Sequence, residues 1–397
     1  MTKRKRTKLH KASLGLMVLL LMAMGAAWFS RGEAPAQDDQ ALELCGVVTA
    51  VDNAEVIRSS VGHLGSQQVT LLVTGGSHKG EVVEADNSLI GSLEIDEMYS
   101  PGDTAVIAAR VAQGHISYAK TISQYRQGGE ARLFGLFVLL LLLYAGTVGF
   151  KALLSFIASV AILWKYLLPG LLAGQNPLIL TGVTLTLLTA VIIFLVGGWS
   201  RKAVAATFGT LAGLAVTLLL TLLFGDLLQV NGMTAPFAPT LVLSGHYNLD
   251  MREIFYAAVV IGASGAAMDI AMDVAAAMYE VKQAKPDISL TALLRSGFNV
   301  GRAVVGTMTT TLLLAYSGGY LTMLMLFVSK DTSLVRILNF KMVAAEIFRT
   351  LVGSIGLVMV APLTAMIAAW LYQGELQGIF QVWRGKLRFP TPHKIND

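Results

Sequence analysis

Long apolar runs dominate the chain from residue 132 onward. Each run holds about 20 residues with few charges, which is the length that a helix needs to cross the hydrocarbon core of a bilayer. Lipid offers backbone groups no partner outside their own helix, so each run is predicted to form a membrane-spanning helix. The first two runs are joined at Lys151 by almost no loop. The predicted spans are residues 133–150, 152–168, 178–196, 203–224, 254–279, 303–328 and 351–372.

The N-terminus combines a basic tag with a further apolar run, residues 14–29. Cations followed by an apolar stretch are typical of a signal peptide or a signal anchor. The small residues that would suit cleavage, Ala34-Pro35-Ala36, lie well past the run, so we predict an uncleaved anchor. This run brings the predicted total to eight spans. The cations of the tag are Lys3, Arg4, Lys5, Arg6, Lys8 and Lys11.

Residues 31–130 have a different pattern, with frequent charges and turn residues. Short alternating stretches occur at residues 47–51, 69–73 and 104–108, and Pro101-Gly102-Asp103 is one of the turn signals between them. Short strands at this spacing predict a small β-barrel or β-sandwich. The fold class is therefore an α-helical polytopic membrane protein with a β domain after the first span.

Composition agrees with this class. The 397 residues are 54% hydrophobic and 14% charged, against about 25% charged in an average soluble protein. The net charge is +5, but the tag contributes six cations, so the rest of the chain carries −1. The basicity thus belongs to one end, and we predict no nucleic-acid partner. A single cysteine excludes a disulfide scaffold.

Lys and Arg in short loops predict the orientation, because cytoplasmic loops carry the excess of these residues. If the tag lies on the cytoplasmic side of the cell membrane, both termini and the loop at Arg201 and Lys202 are predicted to be cytoplasmic. Residues 329–350 place four cations on the outer side, and we interpret this segment as an interfacial helix. The predicted order is tag and anchor (1–30), extracytoplasmic β domain (31–130), first membrane helices (131–225), outer loop (226–253), core membrane helices (254–372) and cytoplasmic tail (373–397).

The span 254–279 carries the candidate chemistry. Asp269 and Asp273 lie four residues apart, so they share one helix face, about 6 Å apart along the axis. An intramembrane carboxylate costs about 2.5–3.5 kcal/mol on insertion scales. Two such groups on one face favour a proton relay or a cation site. The small residues nearby, Gly262, Gly265 and Ala266, would let a neighbouring helix approach closely.

The next span offers partners for these carboxylates. Thr309 and Thr310 fall at the depth of one carboxylate, Tyr316 falls at the depth of the other, and Arg302 opens the span. Their hydroxyls would bond to the carboxylates or to water beside them. Two alternatives stay open: the threonines bond back to their own helix, or Asp269 makes only a structural hydrogen bond. Between the two spans, Pro286 and Ser289 predict a turn and the N-cap of a short amphipathic connector helix.

These residues resemble the YibE/F-like family of bacterial membrane proteins. The motifs that carry the resemblance are GASGAAMD at 262–269, GTMT at 306–309, LLLAY at 312–316, EI at 346–347 with Arg349, GSIGL at 353–357 and PLTA at 362–365. The turns at Lys79-Gly80 and Gly102-Asp103 resemble its N-terminal portion. Thr310 departs from the pattern, where Asn is expected. The resemblance implies a membrane location, a supporting role for Glu346 and Arg349, and no mechanism.

The order of segments is also similar to the membrane half of resistance–nodulation–division exporters and SecD/SecF proteins. An inner anchor, an outer domain, an Asp-bearing span, a Pro-containing linker and a Thr-rich span follow one another in both. In that group an intramembrane Asp couples proton flow to work done outside, so the likeness implies that Asp269 is the proton carrier. The hairpin at 133–168 and the loop 226–253 have no counterpart there.

The leading hypothesis is a proton- or ion-coupled transporter or a translocation-associated factor in the lipid bilayer, completed by a homo-oligomer or a partner membrane subunit. The alternative is a non-transporting scaffold whose outer β domain binds a partner or an envelope component. No enzyme is predicted, because intramembrane hydrolysis needs a nucleophile with its base, aspartates on different spans or a metal triad. No metal or other cofactor is expected.

Overall fold

The computed structural model describes residues 42–373 apart from residues 60, 61, 94 and 113, and it omits the side chains of residues 312 and 316. The chain forms two compact units, divided between Leu136 and Phe137. The predicted basic tag, the anchor and the tail beyond residue 373 lie outside the described residues.

Six strands form the first unit. Burial alternates along them, as the sequence pattern predicts: in β4 the side chains of Val83, Ala85 and Leu89 are buried, and the residues between Val83 and Leu89 that point the other way are more exposed. All three stretches predicted to be strands lie within strands. The strands are β1 Leu42–Asp52, β2 Val56–Ser59, β3 Gly62–Val73, β4 Val82–Ile90, β5 Thr104–Ala112 and β6 His115–Gln124.

The sheet closes into a barrel. β1 pairs antiparallel with β5 on one side and with β3 on the other, so the circuit runs β1, β3, β4, β6, β5 and back to β1. β2 pairs with β3 outside this circuit. β4 and β6 run parallel, with Ala85 opposite Ala119. This is the arrangement of a five-stranded Greek-key barrel of the OB type, so the prediction of a barrel or sandwich resolves to a barrel.

A buried polar network fixes the segment between β4 and β5 against the barrel. Gln67 Nε2 donates to the Tyr99 carbonyl oxygen at 2.9 Å, and Gln67 Oε1 accepts from the Tyr99 N–H at 3.0 Å. Asn87 donates to the Glu97 carbonyl oxygen at 2.6 Å and accepts from the Thr121 hydroxyl at 2.9 Å. An unpaired buried polar group costs about 1–3 kcal/mol, so these bonds select one loop conformation. Burial, reinforced by Glu97, raises the pKa of Tyr99 to about 12.

The rest of the described chain is helical. Five segments are long and apolar enough to cross a membrane, or six if the bent pair α7–α8 counts as one span. The predicted count of eight is not confirmed. The helices are α1 Gln127–Ile162, continued by a π-helical turn at Leu163–Leu167 into α2 Leu168–Leu172, then α3 Pro177–Gly197, α4 Arg201–Leu227, α5 Ala238–Leu243, α6 Met251–Ala284, α7 Leu290–Gly319, α8 Leu321–Ser329, α9 Leu334–Leu338 and α10 Lys341–Gln373.

A break inside α1 separates the first two predicted spans. The backbone of Gly146 is non-helical, with φ 53° and ψ −121°. A Cβ placed on Gly149 would lie 2.6 Å from the Leu141 carbonyl oxygen, although eight residues of straight helix rise about 12 Å. The axis therefore bends sharply at Gly146, five residues before the loop predicted at Lys151. Only glycine adopts this positive φ without a steric cost.

The later helices differ from prediction in three places. The predicted span 303–328 is broken at Tyr320, where the axes of α7 and α8 meet at 69°. The predicted connector helix is the first part of α7, although Ser289 caps it as expected, accepting from the Ala292 N–H at 3.3 Å. Residues 329–350, expected to form an interfacial helix, contain the short helix α9 and the first part of α10, which begins at Lys341.

Glycines let the central helices approach backbone to backbone. α4 packs against α10 where Gly209 meets Thr364 and Gly213 meets Val360, and in return Gly356 of α10 meets Thr217. At each of these contacts, a Cβ on the glycine would overlap the facing side chain. α6 packs against both α4 and α10, and the three helices enclose a core of buried aliphatic residues. Close packing through small residues is the main source of helix association in lipid.

Gly213→Ala is expected to lower stability by about 1–3 kcal/mol, because the new methyl group overlaps Val360 and a packed core absorbs extra volume poorly. The matched control is Gly182→Ala in α3, where no atom lies within 4 Å of the added Cβ. The measurement is the thermal unfolding midpoint of the protein purified in detergent. Equal midpoints for the two variants would contradict the prediction.

Candidate functional site

Helix α6 positions the two predicted carboxylates. It begins after Asp250, whose side chain caps it by accepting from the N–H groups of Arg252 and Glu253, both at 3.0 Å. The helix runs for 34 residues, or about 51 Å. One side of it is completely buried, at Ile270 and Val274 among others. This side fixes the rotation of the helix and so determines where Asp269 and Asp273 project.

The opposite side of α6 is the acidic face, defined by Gly262, Gly265, Ala266, Asp269 and Asp273. The four glycine and aspartate positions are exposed and Ala266 is half-buried. No atom lies within 4 Å of the Cβ position of Gly265. In the described part of the chain, therefore, no neighbouring helix packs on Gly265. The predicted close approach of a helix at this position needs a segment or subunit beyond the described residues.

Asp269 and Asp273 lie about one helical turn apart, roughly 6 Å along the axis. Neither forms an ion pair or a side-chain hydrogen bond with any residue in the described ranges. Two other acidic groups of the helical unit do pair with cations, Asp226 with Arg252 and Glu346 with Arg349. What sets Asp269 and Asp273 apart is that they lie on the apolar part of α6 and pair with no cation of the described residues.

A contact with α3 locates Asp273 along the bundle. The Met272 methyl group lies 2.8 Å from the position that a Cβ on Gly197 would occupy. Gly197 is the last residue of α3, and the loop that follows leads to Arg201 and Lys202. Asp273 therefore lies level with the end of a spanning helix, whereas Asp269 lies one turn further into the bundle.

The structure does not join the threonines of α7 to the carboxylates. The Thr309 hydroxyl donates to the Val305 carbonyl oxygen at 2.8 Å, and the Thr310 hydroxyl donates to the Thr307 carbonyl oxygen at 3.0 Å. These are the bonds to their own helix that the sequence left open as an alternative. The Tyr316 side chain lies outside the described part of the structure.

Packing explains why α7 and α6 meet at one end only. Gly297 of α7 lies against Met278, and a Cβ on Gly301 would be 3.8 Å from Val274. Beyond Gly301, Arg302 and most of the following residues are exposed, so the contact of α7 with the buried side of α6 ends there. The four-residue spacing of Gly297 and Gly301 follows the small-xxx-small pattern, which could have revealed this contact in the sequence.

Glu346 and Arg349 form a second charged cluster near the beginning of α10. Glu346 Oε2 lies 3.7 Å from Arg349 Nη1, and both side chains are largely buried. The guanidinium stands over the Phe255 ring, 5.2 Å from its centroid, and Tyr320 at the break between α7 and α8 lies beside the carboxylate. This Tyr320 contact was not predicted. Within the described ranges, no group of three His, Cys, Asp or Glu side chains is placed to hold a metal ion.

Arg349→Met is expected to destabilise the protein by about 3–5 kcal/mol, because it leaves a buried carboxylate without its cation. Adding Glu346→Gln to that variant is expected to restore most of the loss, since a buried pair is often replaceable as a whole. Thermal unfolding in detergent measures both, with Lys341→Met at the exposed start of α10 as the control. A double variant no more stable than Arg349→Met would contradict the pair's mutual dependence.

Comparison with known proteins supports the family assignment. A family model described as YibE/F-like protein matches residues 133–374, which include the acidic face, α7 and α10. The barrel turns that also suggested the family lie outside the match. No curated protein and no solved structure matches the chain. The match covers more than half of the chain and confirms the resemblance predicted from the motifs: the chain belongs to the YibE/F-like family.

Proposed function

We propose that this protein is a proton- or ion-coupled membrane transporter or translocation-associated factor, with Asp269 as the carrier. One observation supports this most directly: two carboxylates share a face of a spanning helix and have no cation among the described residues. No other charged residue lies on the apolar part of α6 between Tyr256 and Asp269. A carboxylate at such a position costs free energy on membrane insertion, so its presence there favours a functional role.

The geometry suggests how the two aspartates divide that work. Asp273, level with the end of α3, is the group that exchanges protons or cations with water. Asp269, one turn deeper, receives them and is neutralised when occupied. Neutralisation removes the cost of holding a charge in lipid, so occupancy of Asp269 changes how favourably the acidic face packs. The resemblance to the exporters and SecD/SecF proteins supports the same role for Asp269.

The proposed orientation places the end of α6 near Asp273 in the cytoplasm and residues 31–130 outside. Reporter fusions after residues 80, 240 and 290 test it. Alkaline phosphatase is expected to be active when fused at 80 and 240, because this enzyme needs an oxidising compartment. Green fluorescent protein is expected to fluoresce only when fused at 290. A fluorescent fusion at 80 would overturn the orientation.

Asp269→Asn is expected to abolish proton uptake into vesicles reconstituted with the protein and loaded with a pH-sensitive dye, because the amide neither takes nor releases a proton. Asp287→Asn, on the loop between α6 and α7, is the matched control and is expected to leave uptake unchanged. Elution as a single peak in size-exclusion chromatography establishes that the variant folds. Full uptake by Asp269→Asn would sink the carrier role.

The scaffold alternative rests on a different surface. Ile57, Leu64 and Ile90 form an exposed apolar row across three strands, since Ile57 pairs with Leu64 and Leu64 with Ile90. Exposed apolar rows of this kind are typical of protein contacts. If the Ile57→Ser/Ile90→Ser variant loses the cellular phenotype while Asp269→Asn keeps it, the protein acts as a scaffold.

A further inference from the structure

We propose that the C-terminal segment, residues 375–390, docks as a basic strap on the acidic face of α6 at Asp273. The segment is a part of this chain beyond the described residues. Its docking on this helix face does not depend on whether Asp269 carries protons.

The point where α10 ends places this segment beside α6. The Tyr372 hydroxyl donates to the Ala275 carbonyl oxygen at 2.9 Å, and the Tyr372 ring meets the Tyr279 ring edge-on at 5.6 Å. Gln373 Nε2 donates to the Ile288 carbonyl oxygen at 3.2 Å. The chain therefore leaves the bundle between the levels of Ala275 and Tyr279, two to six residues along α6 from Asp273, or about 3–9 Å in height.

Charge makes the segment complementary to the face. Glu280 is exposed and lies seven residues after Asp273, so it continues the acidic face by two turns. The segment 375–390 has one carboxylate, Glu375, and three cations within five residues, Arg384, Lys386 and Arg388. Opposite charges arranged in this way select a register more strongly than they add affinity.

Two nearby cations of the described chain, Lys282 and Arg302, do not fill this role. Lys282 follows on α6, but its ammonium group donates to the Pro286 carbonyl oxygen at 2.6 Å. Arg302 of α7 lies near the level of Val274, yet it forms no ion pair with either aspartate. Asp273 thus faces neither cation across a salt bridge in the described structure.

The segment is long enough to reach. Asp273 projects from the side of α6 opposite to the one that Tyr372 contacts, so the chain must cross one helix diameter, about 10–12 Å. Arg384 comes eleven positions after Gln373, and an extended chain of eleven residues spans up to about 36 Å. A second copy using the same face is disfavoured, since it would bring four carboxylates together.

Cross-linking in the full-length protein tests the strap. In a Cys45→Ser background, Ala276→Cys marks the acidic face beside Asp273, and Gly385→Cys marks the segment without removing a cation. A short bismaleimide in membranes is expected to join this pair at least about tenfold faster than Gly385→Cys with Ser329→Cys, at the other end of the bundle. The product is expected to be a monomer.

Charge variants show whether the contact depends on complementarity. Asp273→Lys/Glu280→Lys is expected to slow cross-linking about tenfold, and Asp273→Asn/Glu280→Gln by less, with both proteins eluting as the parent does. Equal rates for all three proteins, or equal rates for the test and control pairs, would overturn the strap. A covalent dimer would place the segment on a second copy instead.

The bilayer is the competing occupant, because the segment also carries Phe380, Trp383 and Phe389. A measurement of how fast a charged maleimide labels Gly385→Cys distinguishes docking on α6 from binding to the bilayer. The protein is reconstituted in phosphatidylcholine vesicles with or without phosphatidylglycerol. Protection that is lost on Asp273→Lys/Glu280→Lys in both vesicles supports the strap. Protection that follows the anionic lipid and ignores the charge variant assigns the segment to the lipid surface and overturns it.

Discussion

The close approach of α4 and α10 is the contact on which the helical unit depends. In lipid there is little hydrophobic drive to bring helices together, so dispersion between closely packed surfaces must supply the association. Glycines on both helices remove the side chains that would hold the backbones apart, and threonines and valines of the partner fill the space. α6 is then held between them, and its rotation is fixed by their shape rather than by its own charges.

That fixed rotation determines which polar groups are satisfied and which are not. The polar groups buried in the β-barrel bond to one another, and Glu346 and Arg349 lie together. Asp269 and Asp273 receive no such partner from the described chain, because the buried side of α6 is occupied by alanine, valine and isoleucine. The fold therefore pairs only part of its buried polar groups internally, since the hydroxyls of Thr210 and Thr364 find no partner in the described structure. The two carboxylates on the exposed side of α6 are left without a cation among the described residues.

The sequence predicts the positions of the helices and strands better than the points where they break or connect. Apolar length alone gave the ends of α3 to within one residue, those of α4 to within three and those of α6 to within five, and alternation gave three of the barrel strands. The break in the first hairpin was predicted at Lys151, because a charged residue favours a loop in contact with water. The backbone instead breaks at Gly146, whose positive φ only glycine adopts without a steric cost. Glu346 and Arg349 were assigned to the segment before the last predicted span, yet they pair with each other inside α10, a helix long and apolar enough to cross a membrane.

The candidate site was predicted by type and spacing, and less well by its surroundings. Asp269 and Asp273 share a face because a four-residue spacing dictates it. Gly297 and Gly301 of α7 contact the opposite, buried side of α6 at Met278 and Val274, and the sequence alone does not show what these glycines touch. The same contacts have a mechanical consequence. Beyond Met272, α6 continues for twelve residues, about 18 Å, bound along its side by the start of α7. A 10° tilt of α6 about the level of Asp273 would displace the end of the helix by about 3 Å, and the start of α7 would move with it.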